Sequence, residues 1–159
     1  MKKFQTEIKW GLIFILSGLV WMVMEKSLGW HDELLEQHAT YTMFYAPIAI
    51  ALYVMALRDK KKTFYHGKMT YLQGLISGLL LTLVVVLLTP LSQYISHEYI
   101  SPDYFPNIRK LSVEKGQMTL EEAEMHFSLM SYIQQSLVFA AFMGVLTSAI
   151  VALFTRSKK

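Results

Sequence analysis

The sequence predicts an all-α integral membrane protein, a four-helix bundle with a short extracytoplasmic helical hairpin between helices 3 and 4. Three observations predict it. Hydrophobic residues make up 53% of the 159 residues and charged residues only 17%, against about 25% charged in a typical soluble domain. Four long stretches carry no Asp, Glu, Lys, Arg or His. The basic residues gather in three segments that alternating crossings place on one side. Strands are a poor alternative, because the runs lack period-two alternation and an open sheet in lipid leaves unpaired edges.

The first span is placed at about residues 8–27. Its uncharged stretch from Trp10 to Met24 has 15 residues, and a crossing takes about 20. Lys9 and Glu25 are therefore assigned to its two ends, Lys9 reaching the interface by snorkelling. The "MKK" start and apolar middle resemble a signal peptide. "MVMEKSLGWHDE" offers no small-x-small cleavage site, so the segment is read as an anchor.

The second span, at about 40–57, comes from the 19 uncharged residues Ala39 to Leu57. Pro47 either kinks it or marks its first turn. "ALRDKKKTFYHGKM" follows, with Arg58, Lys60, Lys61, Lys62 and Lys68 between two apolar runs. The third span, at about 70–92, lies in the 28-residue run from Met69 to Ser96. Gly74, Gly78 and Thr82 recur every four residues there, and Pro90 follows towards its end. The fourth span, at about 130–154, lies in the 29-residue run from Phe127 to Thr155. Ala140, Gly144, Ser148 and Ala152 form a second small-residue stripe. Such stripes let helix backbones approach closely in lipid, inside one bundle or across a homodimer seam.

The outer loop covers about 96–129. In "SPDYFPN", Pro102 and Pro106 hold the residues before them extended. Pro106 is expected to open a short helix that stops at Gly116. Thr119 and Glu122 of "TLEE" fit a capping box. Leu120, Ala123, Phe127 and Met130 then repeat at helical spacing. With no evident break before Arg156, the helix is expected to run 36 residues from Leu120 to Thr155, roughly 54 Å. It would project several turns beyond the hydrocarbon, with Ile108 and Leu111 of the short helix packed against it.

Charge orients this scheme. Segments 1–9, 58–68 and 155–159 hold eleven Lys and Arg, namely Lys2, Lys3, Lys9, Arg58, Lys60, Lys61, Lys62, Lys68, Arg156, Lys158 and Lys159, against Glu7 and Asp59. Segments 25–38 and 97–126 hold four basic residues against ten acids. The positive-inside rule puts both termini and the "RDKKK" loop in the cytoplasm of a bacterial inner membrane. Arg58, Lys60, Lys61 and Lys62 are read as the topology signal, meeting anionic lipid headgroups. The net charge of +3 invites a nucleic-acid partner, but the segregation of charge argues against one.

The absence of cysteine excludes disulfides, thiolate catalysis and Cys-type zinc sites. His31, His38, His97 and His126 fall on the outer side among acids. No pair has the spacing of a zinc helix. "HDELLEQH" places its two histidines two turns apart on one helix face, too far for one metal without bending. The expectation is a solvated polar loop, with no metal and no cofactor. Glu25 is the functional polar candidate, since a carboxylate within lipid is expensive; otherwise it reaches the interface beside Lys26. Gln73, Gln93, Gln134 and Gln135 read as interhelical hydrogen-bonding groups.

Taken in order, "EIKWGLIF", "ALRDKKK", "MTYLQGLISG", "LTPLSQYI", "SPDYFPN", "GQMTLEEAE" and "SAIVALF" resemble the DUF4199 family, bacterial membrane proteins of unknown function. The resemblance covers nearly the whole chain. It implies an inner-membrane protein of similar size with four spans, and it brings no activity and no functional residue.

The leading expectation is a non-enzymatic accessory or scaffold subunit that binds membrane lipids and another membrane protein or a second copy of itself. A polar path near Glu25, Pro47 and Pro90 would instead mean a small transporter or lipid-linked carrier. A metal bound among the outer histidines and acids would mean a metal-dependent enzyme.

Overall fold

A computed structural model describes residues 4–157. Lys2, Lys3, Lys158 and Lys159 of the basic tails lie outside the described residues. Those residues form helices and connecting turns, with no strand among them. Helix α1 is Gln5–Ser27. A 3-10 turn at Leu35–Gln37, the one-turn helix α2 at His38–Tyr41 and a second 3-10 turn at Thr42–Phe44 lead into α3 at Tyr45–Thr63. Helix α4 is Tyr71–Ile95 and continues as a π turn at Ser96–Ile100. Helices α5 at Tyr104–Glu114 and α6 at Leu120–His126 precede α7 at Leu129–Thr155.

Four helical stretches are long and apolar enough to cross a membrane: Gln5–Ser27, Leu35–Thr63, Tyr71–Ile100 and Leu129–Thr155. They pack in the ring order α1, α4, α7, α3, and α3 also meets α4 across the middle. Large apolar side chains such as Leu16, Val20, Leu87, Phe139 and Phe142 face outwards. That is the inverse of a soluble bundle and suits a lipid surround.

The α4–α7 contact is the most extensive. A Cβ on Gly78 would fall 2.6 Å from Ser148 Oγ, and one on Gly74 would fall 3.3 Å from the Ala152 Cβ. A Cβ on Gly144 would collide with Thr82. Gly78 and Gly144 leave no room for a Cβ and Gly74 leaves little, a close approach expected where packing rather than water exclusion joins helices. Ala140, one turn towards the other end of α7, is half-buried. Three hydroxyls along the seam are engaged. Thr82 donates to the Gly78 carbonyl at 2.9 Å and Ser148 to the Gly144 carbonyl at 2.6 Å, while Tyr53 bonds Thr82 at 2.9 Å.

Two sequence expectations change here. The 36-residue helix from Leu120 is broken at Phe127–Ser128. Ser128 is extended and caps α7, its Oγ accepting from the Ser131 amide at 3.3 Å. That takes the donor that the Phe127 carbonyl would hold in a continuous helix. Arg109 supplies a replacement, donating from Nε and Nη2 to that carbonyl at 2.9 and 2.6 Å. The projection is thus folded into a cap rather than extended. The helix expected to open at Pro106 opens at Tyr104, so the proline sits in its first turn, where a missing N–H costs nothing. Gly116, at φ 65°, ends this segment as the sequence suggests. Pro47 falls in the first turn of α3, the second of the two alternatives.

At one end of the bundle lie the N-terminus of α1, the C-terminus of α3 and the C-terminus of α7. We call it the basic end. Lys60, read from sequence as a headgroup-facing cation, is 2% exposed. Its Nζ lies 2.8 Å from Glu7 Oε1, and it stands 4.3 Å from the centre of the Phe64 ring. Its charge is spent inside the bundle. Lys61 donates to the Thr155 carbonyl at 3.0 Å, closing the end of α7. Asp59 accepts from Trp10 Nε1 at 2.7 Å and from Lys9 at 2.9 Å. Arg58 and Lys62 are exposed.

Candidate metal centre

At the opposite end, which we call the histidine end, α1 delivers Glu25 in its last turn. Gly29, at φ 74°, turns the chain in the left-handed region that glycine tolerates best. The segment folds back on itself, and the Trp30 amide donates to the Glu25 carbonyl at 3.0 Å. "HDELLEQH" is therefore not one helix. Tight turns and the 3-10 segment carry it round, and the bend without which the two histidines could not share one metal is present. The rings of His31 and His38 lie 5.0 Å apart.

Both imidazoles aim at one carboxylate oxygen. His31 Nε2 lies 3.3 Å and His38 Nε2 3.4 Å from Glu25 Oε2. The other oxygen, Oε1, accepts from Trp21 Nε1 at 2.6 Å, one helical turn back. Glu25 is 2% exposed and His31 0%. The expectation that Glu25 reaches the interface beside Lys26 does not hold, because Lys26 turns away and donates to the Ile100 carbonyl at 2.5 Å. One ligand atom from each of Glu25, His31 and His38 lies within 4.8 Å of the other two.

The far nitrogens are held as well. His31 Nδ1 lies 2.9 Å from Ser101 Oγ, and His38 Nδ1 lies 3.3 Å from the Tyr104 hydroxyl. Tyr104 in turn meets the Tyr132 hydroxyl at 3.2 Å. Burial pushes the Tyr104 phenol far above its ordinary range, with Tyr132 and Glu25 adding to the shift. The phenol therefore keeps its proton and can donate. One assignment satisfies every group: Ser101 and Tyr104 donate to the two Nδ1 atoms, and both Nε2–H groups donate to Glu25. The backbone that carries Ser101 is fixed by the π turn, where the Ser101 amide donates to the Ser96 carbonyl at 2.8 Å. Asn107 ties α5 to the fold-back through the His31 carbonyl at 3.2 Å and Asp32 at 2.8 Å.

These three side chains could hold a metal ion. Two imidazole nitrogens and a carboxylate converge, and each imidazole has a partner that orients its other nitrogen. The set suits a divalent first-row ion. Zinc sites use His2Glu with an open position, and non-haem iron(II) uses two histidines and a carboxylate. Sequence reasoning singled out Glu25 but treated His31 and His38 as solvated, since it read their separation along a helix. Gly29 and the end of α1 just before it were the available signal.

The topology residues Arg58, Lys60, Lys61 and Lys62 lie at the basic end, and the stripe residues lie in the α4–α7 seam, so neither group joins this cluster. His126 stands apart too, in a separate open cavity with Gln117, Met118, Glu122, Met125 and Ser131. No curated protein and no solved structure matches the chain. A family model described as "Protein of unknown function (DUF4199)" matches residues 9–157.

Proposed function

The chain belongs to the DUF4199 family of proteins of unknown function, and from that premise, which supplies no chemistry, we propose that it is a membrane protein that binds a divalent transition metal through Glu25, His31 and His38. The observation that carries this reading is the convergence of both Nε2 atoms on one buried carboxylate oxygen, with both Nδ1 atoms held from behind. Loading asks little of the site. The proton on each Nε2 would leave and one would be taken up from solvent at Nδ1, giving the neutral tautomer whose N–H faces Ser101 Oγ or the Tyr104 oxygen. The same contacts persist with donor and acceptor exchanged.

The role that fits is structural. The Glu25 and His31 side chains are 3% and 1% exposed, and His38 alone, at 18%, reaches the surface. A closed site holds parts together better than it turns over a substrate. The ion would join the end of α1 to the fold-back and the entrance of the α2–α3 stretch, fixing the cap formed by α5 and α6. This supports an accessory or scaffold protein in a lipid bilayer, one that presents a rigid cap to a membrane-protein partner or a second copy. The Lys and Arg asymmetry favours a bacterial inner membrane with the basic end and both termini in the cytoplasm.

One observation favours a second reading. Glu25, His38, Tyr104 and Tyr132 form a continuous hydrogen-bonded chain, and such chains carry protons in transporters. Metal content separates the two. The full chain, purified in detergent and stripped with chelator, is titrated with Zn2+ by calorimetry, with metal analysis after dialysis. One tightly held ion per chain is expected, lost in Glu25→Gln and in His31→Gln. No binding above that of these variants would overturn the metal reading. The absence of cysteine makes orientation simple to check. A cysteine introduced at Gln117 should react with an impermeant maleimide on intact cells, and one at Lys62 should not.

A further inference from the structure

The two oxygens of Glu25 are engaged differently. Oε2 faces His31 Nε2 at 3.3 Å and His38 Nε2 at 3.4 Å. Oε1 accepts from Trp21 Nε1 at 2.6 Å, the shortest of these contacts. The Thr42 hydroxyl bonds the same carboxylate. The partners also differ in what they can become. An imidazole nitrogen that gives up its proton turns from a donor into a metal ligand, whereas an indole N–H can only donate. An ion at Oε1 would have to push the Trp21 N–H aside and leave a half-buried donor without an acceptor. Trp21 is held against such a shift. It lies one helical turn before Glu25 on α1, and its ring packs on Trp30 at 6.2 Å and on Tyr45 at 5.6 Å, centre to centre. Tyr45 is itself tied to Ser17 by a 2.7 Å hydrogen bond.

Glu25 is thus a one-oxygen donor, and the chain offers an ion three atoms: Oε2 and the two Nε2. Room for more is limited. The Glu25 and His31 side chains are 3% and 1% exposed, and His38 alone, at 18%, opens to solvent. Water can therefore reach the ion from one side. Three protein donors and one water make the four-coordinate set that Zn2+ prefers. Ca2+ takes about six to eight oxygens, and Mg2+ keeps several waters in an octahedron. Iron(II) held by two histidines and a carboxylate needs several open positions, and Mn2+ favours six oxygens.

We propose that Trp21 sets the metal preference of this site: by occupying Oε1 it holds Glu25 to one oxygen, so the site takes a four-coordinate ion of the Zn2+ type and discriminates against six-coordinate Mn2+ and Fe2+. This rests on the metal reading above and narrows it, because it chooses between the zinc and iron chemistries that the donor set alone allows. Trp21 is a positioning residue. It touches Glu25, not the ion, and its N–H stays on Oε1 in the loaded state. The contacts of Ser101 and Tyr104 behind the two imidazoles are undisturbed.

The test uses the full chain in nanodiscs, stripped with chelator and loaded with Zn2+, Co2+ or Mn2+. X-ray absorption on the Zn2+ form of wild type needs no variant: four N/O donors at about 2.0 Å are expected. The Co2+ form of wild type should show the intense visible bands of a four-coordinate ion. Trp21→Phe keeps a ring in place and frees Oε1, so Glu25 can grip with both oxygens. Its Co2+ bands should weaken as the coordination number rises, and its preference for Zn2+ over Mn2+ should narrow by about tenfold or more. A residue that only supported the fold would weaken both ions alike and leave that ratio untouched. An unchanged ratio or unchanged bands in Trp21→Phe, or more than four donors around Zn2+ in wild type, would overturn the proposal and leave the three-donor site standing. Failure of wild type to bind Zn2+ or Co2+ would remove the metal reading itself, and the role of Trp21 with it.

Discussion

Glu7 and Glu25 sit on the same helix 18 residues apart, roughly 27 Å along its axis, and both are buried, at 3% and 2% exposure. Their partners differ in kind. Glu7 faces the ammonium of Lys60, a permanent opposite charge, and Phe64 covers the pair. Glu25 faces an indole and two imidazoles, none of which carries a permanent charge. The basic end is therefore electrically closed by the chain itself. The histidine end buries a carboxylate among neutral N–H donors with Lys26 turned elsewhere, which leaves its charge to be met by a cation from outside. A buried charge without a counter-charge is expensive, and the two ends meet that expense in different ways.

The largest expected effect is at the closed end. Lys60→Met leaves Glu7 buried without its cation and should destabilise the protein by about 3–5 kcal/mol, read by denaturant titration in detergent micelles. Adding Glu7→Gln in the same chain should recover most of the loss. If Lys60→Met costs nothing, Glu7 does not depend on Lys60 for its counter-charge and the basic end is not closed by the chain.

The next effect belongs to the open end alone. Zn2+ at about one hundred times its dissociation constant should stabilise wild type by about 2.7 kcal/mol. Glu25→Gln should gain nothing from it. Lys60→Met, although weaker overall, should keep the full gain, since its lesion lies at the other end of α1. Equal stabilisation of Glu25→Gln and wild type would mean that the ion binds elsewhere.

A lesion in the middle should not distinguish the ends. Gly78→Ala puts a Cβ within 2.6 Å of Ser148 Oγ and 3.2 Å of its Cα. Overpacking of this kind typically costs about 1–3 kcal/mol. The Zn2+ gain should be unchanged, because the seam touches neither carboxylate. Loss of metal binding in this variant would show that seam and site are coupled, and the two ends could no longer be treated as independent.

What could be read from sequence follows the same division. The four long apolar helices were legible because length without charge is a property of the run itself, and the Thr119–Glu122 capping box was legible because both partners lie within one turn. The close approach of Gly74 and Gly78 to α7 was also visible as a spacing. The Glu7–Lys60 pair was not, since its members are 53 residues apart and both were counted as surface charges. His31 and His38 were misread for a different reason: helical spacing was applied across a segment that Gly29 had already turned. The break at Ser128 shows how a local signal can be outvoted. Serine is a good helix cap, but apolar periodicity continued across it, and the arginine that stabilises the break comes from α5.

The smallest effect tests how the open end is supported. Tyr104→Phe removes the hydroxyl behind His38 and leaves the aromatic packing of Tyr104 in place. In the loaded state His38 Nδ1–H would lose its acceptor, while His31 keeps Ser101. Partners of this kind typically set metal affinity within 10- to 100-fold. The lower figure, about tenfold or ~1.4 kcal/mol, is expected because the bond is long and only one imidazole is affected. The check is competition against a calibrated Zn2+ chelator, with Ser101→Ala measured alongside. Its bond is shorter, at 2.9 Å, so Ser101→Ala should cost at least as much. If Tyr104→Phe instead costs as much as losing His38 itself, Tyr104 does more than orient. If it costs nothing, the convergence of the two imidazoles on Glu25 is held by packing alone. The Glu7–Lys60 pair should be indifferent to either variant, so the stability of the metal-free protein should change by much less than the metal affinity does.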